Sequence, residues 1–263
     1  MEKLQFIPSK QFNDYKQMLS SELSYCFDNI KERELTTEAF KNYMTASAVA
    51  SSQIEGSTLN LNSYYRAKQN KIVNKEVVEI EDLITAYQYA KRYNLNIQNF
   101  CKSHEILAAN FKQITKSQKG LFRKVPVGIK GVWGLIYTAA EPKIVDAEMQ
   151  KLFTDISILM GRKLNYKQAL FYASYIHFMF VKIHPFADGN GRAARLLEKW
   201  FLAKKIGAIA WSIPTENYYW ENRGVYYGNL NIGKNYTETL NVLMQNTNFL
   251  LMLPKAVCYT PVL

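Results

Sequence analysis

Cysteine is scarce in this chain: Cys26, Cys101 and Cys258 are odd in number and far apart. That pattern offers neither the paired spacing of a zinc site nor a disulfide framework, and it favours a reducing compartment. Long apolar runs are also missing. The longest, Ala169 to Ile183, contains His177 and falls short of the ~20 residues that cross a bilayer. The opening Met1-Glu2-Lys3-Leu4-Gln5-Phe6 lacks a secretory-signal pattern. Charges are dispersed, without the run that would mark a nucleic-acid-binding arm. Internal repeats and low-complexity segments are absent as well. The expectation is a cytoplasmic protein with no membrane partner and with nucleic acid disfavoured.

Apolar and basic side chains, by contrast, are plentiful. The 263 residues are 48% hydrophobic and 14% aromatic, enough for a sizeable core in one or two domains. The net charge is 33 − 22 = +11, which attracts an anionic partner such as a nucleotide or an acidic protein surface. Apolar residues recur at helical spacing over most of the length. A helix is expected from about Thr36 to Gly56, beginning on a Thr36-Thr37-Glu38 cap and stopping at glycine. Others are expected over Glu79–Tyr93, Asn96–Asn110, Val145–Arg162, 165–183 and Tyr236–Leu253. Residues 57–80 read as a polar surface loop or short helix. Between about 122 and 138, alternation and three glycines predict a β-hairpin.

The chemistry concentrates in Ile183-His184-Pro185-Phe186-Ala187-Asp188-Gly189-Asn190-Gly191-Arg192-Ala193-Ala194-Arg195. The residue before a proline is pushed out of the α region, so the upstream helix should end near His184. Gly189, Asn190 and Gly191 tolerate positive φ, and successive N–H groups in such a turn form an anion nest. The following helix N-terminus favours a phosphate in the same place. Asp188 supplies hard oxygen ligation of the kind Mg²⁺ uses alongside substrate phosphates. Arg192 and Arg195 lie three apart on neighbouring helix positions and suit bidentate phosphate contact. His184 can accept a proton near neutral pH. These are the groups that nucleotidyl transfer to a hydroxyl needs. Phe186 reads as the apolar anchor of the loop. His104 reads as a buried or capping histidine, and His177 as a packing residue or one that supports the site from behind, since a zinc pair on a helix sits four apart rather than seven.

In this order the residues resemble the signature of the Fic family, His-Pro-Phe-x-(Asp/Glu)-Gly-Asn-(Gly/Lys)-Arg-x-x-Arg, with all nine defined positions matched from His184 to Arg195. Upstream, Ser51-x-x-x-Glu55-Gly56 resembles the inhibitory motif of the same family, (Ser/Thr)-x-x-x-Glu-(Gly/Asn). The resemblance implies a mainly α fold, a Fic-type helical bundle with a small β-hairpin flap. It divides the chain into an N-terminal helical region over 1–100 and a core over 101–263, together one unit. It implies an autoinhibited adenylyltransferase that moves AMP from ATP, with Mg²⁺, to a Tyr, Ser or Thr hydroxyl of a target protein. His184 would be the general base and Asp188 the metal ligand. Phe186, Gly189, Asn190, Gly191, Arg192 and Arg195 would form the nucleotide site, with Tyr226 and Tyr227 bordering the nucleoside.

By the same resemblance, Glu55 would pair with Arg195 in the space of the γ-phosphate, with Ser51 steadying the helix end. The hairpin would align the target segment beside the site. Alternatives stay open: another nucleotide donor, removal of AMP, or a non-catalytic basic module that binds nucleic acid or protein. The oligomeric state, a homo-oligomer included, stays open too.

Overall fold

Asparagine starts many of the helices. In the computed structural model, which describes residues 3–32, 35–131 and 134–261 apart from the side chains at 130–136, the helices run α1 Phe12–Gln17, α2 Leu23–Lys31, α3 Thr37–Ile54, α4 Leu61–Gln69, α5 Lys75–Arg92 and α6 Ile97–Leu107. The hairpin β1 Gly128–Gly131 and β2 Gly134–Thr138 follows. After it come α7 Pro142–Gly161, α8 Tyr166–Ile183, α9 Asn190–Ile206, α10 Thr215–Glu221, α11 Arg223–Leu230, α12 Tyr236–Asn241, α13 Thr247–Leu250 and α14 Met252–Val257. Asn60, Asn74, Asn96, Asn165 and Asn235 each accept a first-turn N–H at α4, α5, α6, α8 and α12, as Thr36 does at α3. An asparagine oxygen satisfies an N–H that the helix leaves without a partner. The Asn74 cap starts α5 at Lys75, four residues before apolar periodicity becomes visible, and Asn60 starts α4 within 57–80, the short helix that stretch allowed.

The expected helix over Tyr236–Leu253 is corrected. It breaks into α12, a 3₁₀ turn at Leu243–Asn246, α13 and α14. The buried Gln11 amide donates to the Met244 carbonyl, Asn246 Oδ1 and Thr247 Oγ1, and these polar groups compete with a continuous helical ladder. The hairpin is antiparallel, with Gly128 opposite Thr138 and an irregular register between Ile129 and Lys130. It is shorter than expected, and the tip at 132–133 lies outside the described residues.

At the centre, α8 packs lengthwise on α9. Ala169–Phe180 of α8 is buried without a break, as expected of a helix that is apolar all round. Helices α3, α5 and α10 enclose one side of this pair, α6 and α7 another, and α13 and α14 lie against the far end of α8. The turn between α8 and α9 is therefore held from several directions. Among the described residues, no helix is long and apolar enough to cross a membrane.

The cysteine expectation is corrected too. Cys26 on α2 and Cys258 just after α14 form a disulfide with Cα atoms 5.0 Å apart, across 232 residues of chain. Sequence spacing could not reveal the pair, because only α14 packing on α2 brings them together. Closing so long a loop stabilises a fold by about 2–4 kcal/mol, chiefly by restricting the unfolded chain. Thiol reductant, or Cys26→Ser, should lower Tm by roughly 5–10 °C in a thermal melt. Equal melts with and without reductant would contradict a formed bond.

Candidate active site

Helix α8 ends where the sequence places it, but not with extended backbone. His184 takes the left-handed conformation, φ 53° and ψ 59°, while its N–H still donates to Phe180 O at 2.9 Å. A non-glycine residue pays about 1–2 kcal/mol for that conformation, so its surroundings must enforce it. Arg123 does so. Its N–H donates to Pro185 O at 2.8 Å, its Nε to His184 O at 2.7 Å and its Nη2 to Ile183 O at 3.3 Å. The remaining donors reach the Val125 and Ala140 carbonyls at the base of the hairpin. One buried arginine thus fixes three consecutive carbonyls, two through its guanidinium and one through its backbone N–H, and ties them to the flap. Nothing in the Gly120-Leu-Phe-Arg-Lys-Val stretch marks this arginine in advance. Arg123→Met should leave nucleotide affinity unchanged but cut transfer at least about tenfold, since each orphaned buried carbonyl costs about 1–3 kcal/mol. Unchanged turnover would show that the His184 backbone holds without it.

The loop beyond is self-braced. Phe186 is fully buried, its ring stacked on His104 at 3.5 Å between centroids and surrounded by Phe100, Phe122 and Phe180. Asn190 Oδ1 accepts the Phe186 N–H at 2.8 Å, and its Nδ2 donates to Phe186 O at 2.9 Å. The Asn190 amide is spent inside the loop, so its contribution to an anion is the backbone at the start of α9. Gly189, at φ +79°, leaves no room for a side chain: a Cβ there would stand 3.0 Å from the Phe111 ring. His104 Nδ1 accepts the Gly120 N–H, so Nε2 carries the proton and donates to Asp188 O at 2.9 Å. Burial pushes its pKa down to about 4, keeping the ring neutral. His104 is therefore the buried histidine expected, and it supports the Asp188 backbone.

Asp188 accepts the Gly189 N–H on Oδ1 and the Gln113 amide on Oδ2. Among the described residues there is no cluster of three or more His, Cys, Asp or Glu able to hold a metal. A lone, partly exposed carboxylate beside an anion nest fits Mg²⁺, which completes its shell with phosphate and water oxygens, and does not fit zinc.

The first turn of α9 has no side-chain cap, and a carboxylate lies on it. A Cβ built on Gly191 would meet Glu55 Oε1 at 2.1 Å, so the glycine is what lets the carboxyl reach the helix N-terminus. Glu55 caps the end of α3, followed by Gly56 at φ +101°. Its Oε1 accepts from Arg195 Nη2 at 2.7 Å. Arg195, 1% exposed, also donates through Nε to Ser51 Oγ at 2.8 Å and through Nη2 to the Ser51 carbonyl at 3.0 Å. Burial pulls the Arg195 pKa down, but the Glu55 charge outweighs it and the net direction is up. Tyr227, 43% exposed, donates to the Ile54 carbonyl at 3.1 Å and latches the end of α3.

Arg192 is engaged elsewhere. Its Nη1 pairs with Glu79 Oε2 on α5 at 2.9 Å, and its guanidinium lies 4.2 Å from the Phe111 ring centroid. Its Nε is buried without a hydrogen bond among the described residues. Glu79, like Arg123 and Gln113, is a contributor that the sequence did not single out.

His184 is partly exposed. Its Nδ1 lies 3.3 Å from the Val181 carbonyl, which can only accept. The proton therefore sits on Nδ1 and the lone pair on Nε2. Burial, aided by the Arg123 charge and opposed by Val181, Glu55 and Asp188, brings the pKa down to about 4. The imidazole is thus in its proton-accepting form above about pH 4 and loses it as pH falls through that value. Any transfer that uses it should be insensitive to His184 titration from pH 6 to 9. A rate that rises through pH 6–7 with a single ionisation would contradict this environment.

Comparison with known proteins matches residues 94–202 to the Fic/DOC family. A mosquito relative, protein adenylyltransferase Fic of Aedes aegypti, is 51% identical over 16% of this chain, and its counterpart in Culex quinquefasciatus is 49% identical over the same share. The chain matches only 10% of the length of these curated relatives. Among solved structures, a Fic family protein from Desulfovibrio desulfuricans superposes with TM-score 0.75 at 20% identity, covering 98% of this chain and 74% of the other. A Fic-domain signaling protein of Bacteroides thetaiotaomicron gives 0.65 at 18% identity, covering 94% of this chain and 91% of that one. At such identities the likeness is one of fold: the helical bundle with its small hairpin.

Proposed function

The chain carries a Fic/DOC family domain over residues 94–202, and from that premise we propose that it transfers AMP from ATP to a Tyr, Ser or Thr hydroxyl of a target protein and is held inactive by Glu55. The observation that carries this reading is the Glu55 carboxylate lying on Gly191 and ion-paired to Arg195, an internal anion in a nest suited to a phosphate. The name of the mosquito relatives, protein adenylyltransferase, supports the reaction class.

In the reaction, the first-turn N–H groups of α9 bind the triphosphate. Arg195 takes the γ-phosphate once Glu55 has withdrawn. Asp188 would hold Mg²⁺, which would neutralise charge at the phosphates. His184 Nε2 accepts the proton of the target hydroxyl as that oxygen attacks the α-phosphorus in line and pyrophosphate leaves. Positioning and electrostatics carry most of the barrier reduction. An extended target segment adds along β1 of the hairpin, since Thr138 of β2 already bridges to Asn235, and Arg123 ties the hairpin base to His184.

The loop contacts phosphates and leaves the base unread, so the donor is tested directly. Glu55→Gly protein is incubated with Mg²⁺ and each nucleoside triphosphate in turn, and the products are analysed by mass spectrometry. An AMP adduct on a hydroxyl, formed from ATP in preference to the others, is expected. Another adduct would reassign the donor, and loss of AMP from a modified protein would reassign the direction.

A further inference from the structure

Arg195 has a second set of partners that α3 does not supply. Its Nη1 donates to Tyr226 Oη at 3.4 Å. That hydroxyl lies 3.0 Å from His177 Nε2, and His177 Nδ1 lies 2.8 Å from Glu198 Oε2. Tyr219 donates its hydroxyl to both Glu198 oxygens at 3.1 Å. The groups come from α8, α9, α10 and α11, and none is more than 1% exposed.

The hydrogen positions follow from the partners. The Glu198 carboxylate accepts, so Nδ1 of His177 carries the proton and Nε2 the lone pair. Tyr226 then donates to Nε2 and keeps its own lone pairs for Arg195. The chain Glu198–His177–Tyr226–Arg195 is satisfied at every link. A buried polar network is seldom required for stability, since apolar residues of equal volume often serve as well. Its directionality is what an apolar filling could not reproduce. The Tyr226 ring is enclosed by Tyr219, Tyr227, Phe249 and His177, which leaves its hydroxyl as the chemically active part.

We infer that Tyr226, backed by His177 and Glu198, is a positioning residue that keeps Arg195 aimed at the γ-phosphate after the inhibitory helix end has moved. This rests on the reading of Arg195 as the γ-phosphate ligand. Among the described residues, three of the four hydrogen bonds of Arg195 go to Ser51 and Glu55, so withdrawal of that helix end removes them together. The bond to Tyr226 remains and limits the rotamers of the freed guanidinium. Recognition of the γ-phosphate then begins from a prepared donor.

The test is equilibrium binding of ATP, ADP and GTP with Mg²⁺ to Glu55→Gly and to Glu55→Gly/Tyr226→Phe. Tyr226→Phe deletes one oxygen and keeps the ring. ATP should weaken by about fivefold, the range of one hydrogen bond, while ADP affinity and the ATP-to-GTP ratio stay unchanged. His177→Gln in the same background is read alongside, and a smaller loss confined to ATP is expected. Equal loss of ATP and ADP, no loss, or a changed ATP-to-GTP ratio would overturn the inference, the last by returning Tyr226 to the base. If Glu55→Gly alone does not prefer ATP over ADP, the reading of Arg195 fails first and the inference falls with it.

Discussion

In the Glu55→Gly background, His184→Ala should bind ATP as tightly as its Glu55→Gly parent yet transfer AMP about 10²–10⁴-fold more slowly, the contribution expected of a general base. The groups proposed to bind the phosphates are the backbone of α9, Asp188 and Arg195, and the His184 ring is not among them, so affinity and turnover should separate. The backbone at this position is held by Arg123 through the His184, Ile183 and Pro185 carbonyls, not by the imidazole. Alanine, however, tolerates φ 53° no better than histidine. His184→Asn, which accepts positive φ more readily, therefore serves as a control for backbone strain. Both variants should lose transfer while retaining binding, measured by single-turnover labelling and by calorimetry. Transfer at the parental rate in either would remove His184 as the base.

The second large effect concerns Glu55→Gly. Its carboxylate opposes a triphosphate twice, by occupying the α9 N-terminus and by engaging Arg195. Like charges about 4 Å apart repel by about 4 kcal/mol at a near-surface dielectric. The Glu55 side chain is 30% exposed, so solvent screening reduces the figure. A gain of about ten- to a hundredfold in AMP labelling is the expected result, at about 1.4 kcal/mol per tenfold. A thermal signature should accompany it. With Glu55 gone, a guanidinium only 1% exposed loses its counter-charge, and the nucleotide-free variant should melt below the parent. ATP with Mg²⁺ should return that stability to the variant and much less to the parent. Equal labelling of the two forms, with no difference in ATP-dependent stabilisation, would remove the inhibitory assignment.

Much of the loop was legible because its chemistry is local. His184 through Arg195 are consecutive, and glycine, proline and arginine each carry conformational or charge consequences wherever they stand. Phe186 as an anchor and His104 as a buried histidine followed from residue type and neighbours. Asn190 departs from this. The resemblance puts it in the nucleotide site, but its amide closes the loop on Phe186. Arg192 likewise reads as a free guanidinium, yet Glu79 and Phe111 hold it. Chain breaks were less legible, since Gln11 reaches across 233 residues to interrupt what periodicity reads as one C-terminal helix.

Residue order alone therefore specified a mainly helical chain, a hairpin, and a turn that combines a base, a hard ligand and an anion nest. Those properties reside in neighbouring residues and in apolar spacing, which any fold of the chain must respect. Packing decided which groups those residues meet: the Glu55 carboxylate on Gly191, Arg123 beneath His184, Tyr226 behind Arg195, and Cys26 against Cys258. Each such contact joins positions tens to hundreds of residues apart, and no local rule relates them until α8 and α9 gather the other helices around themselves.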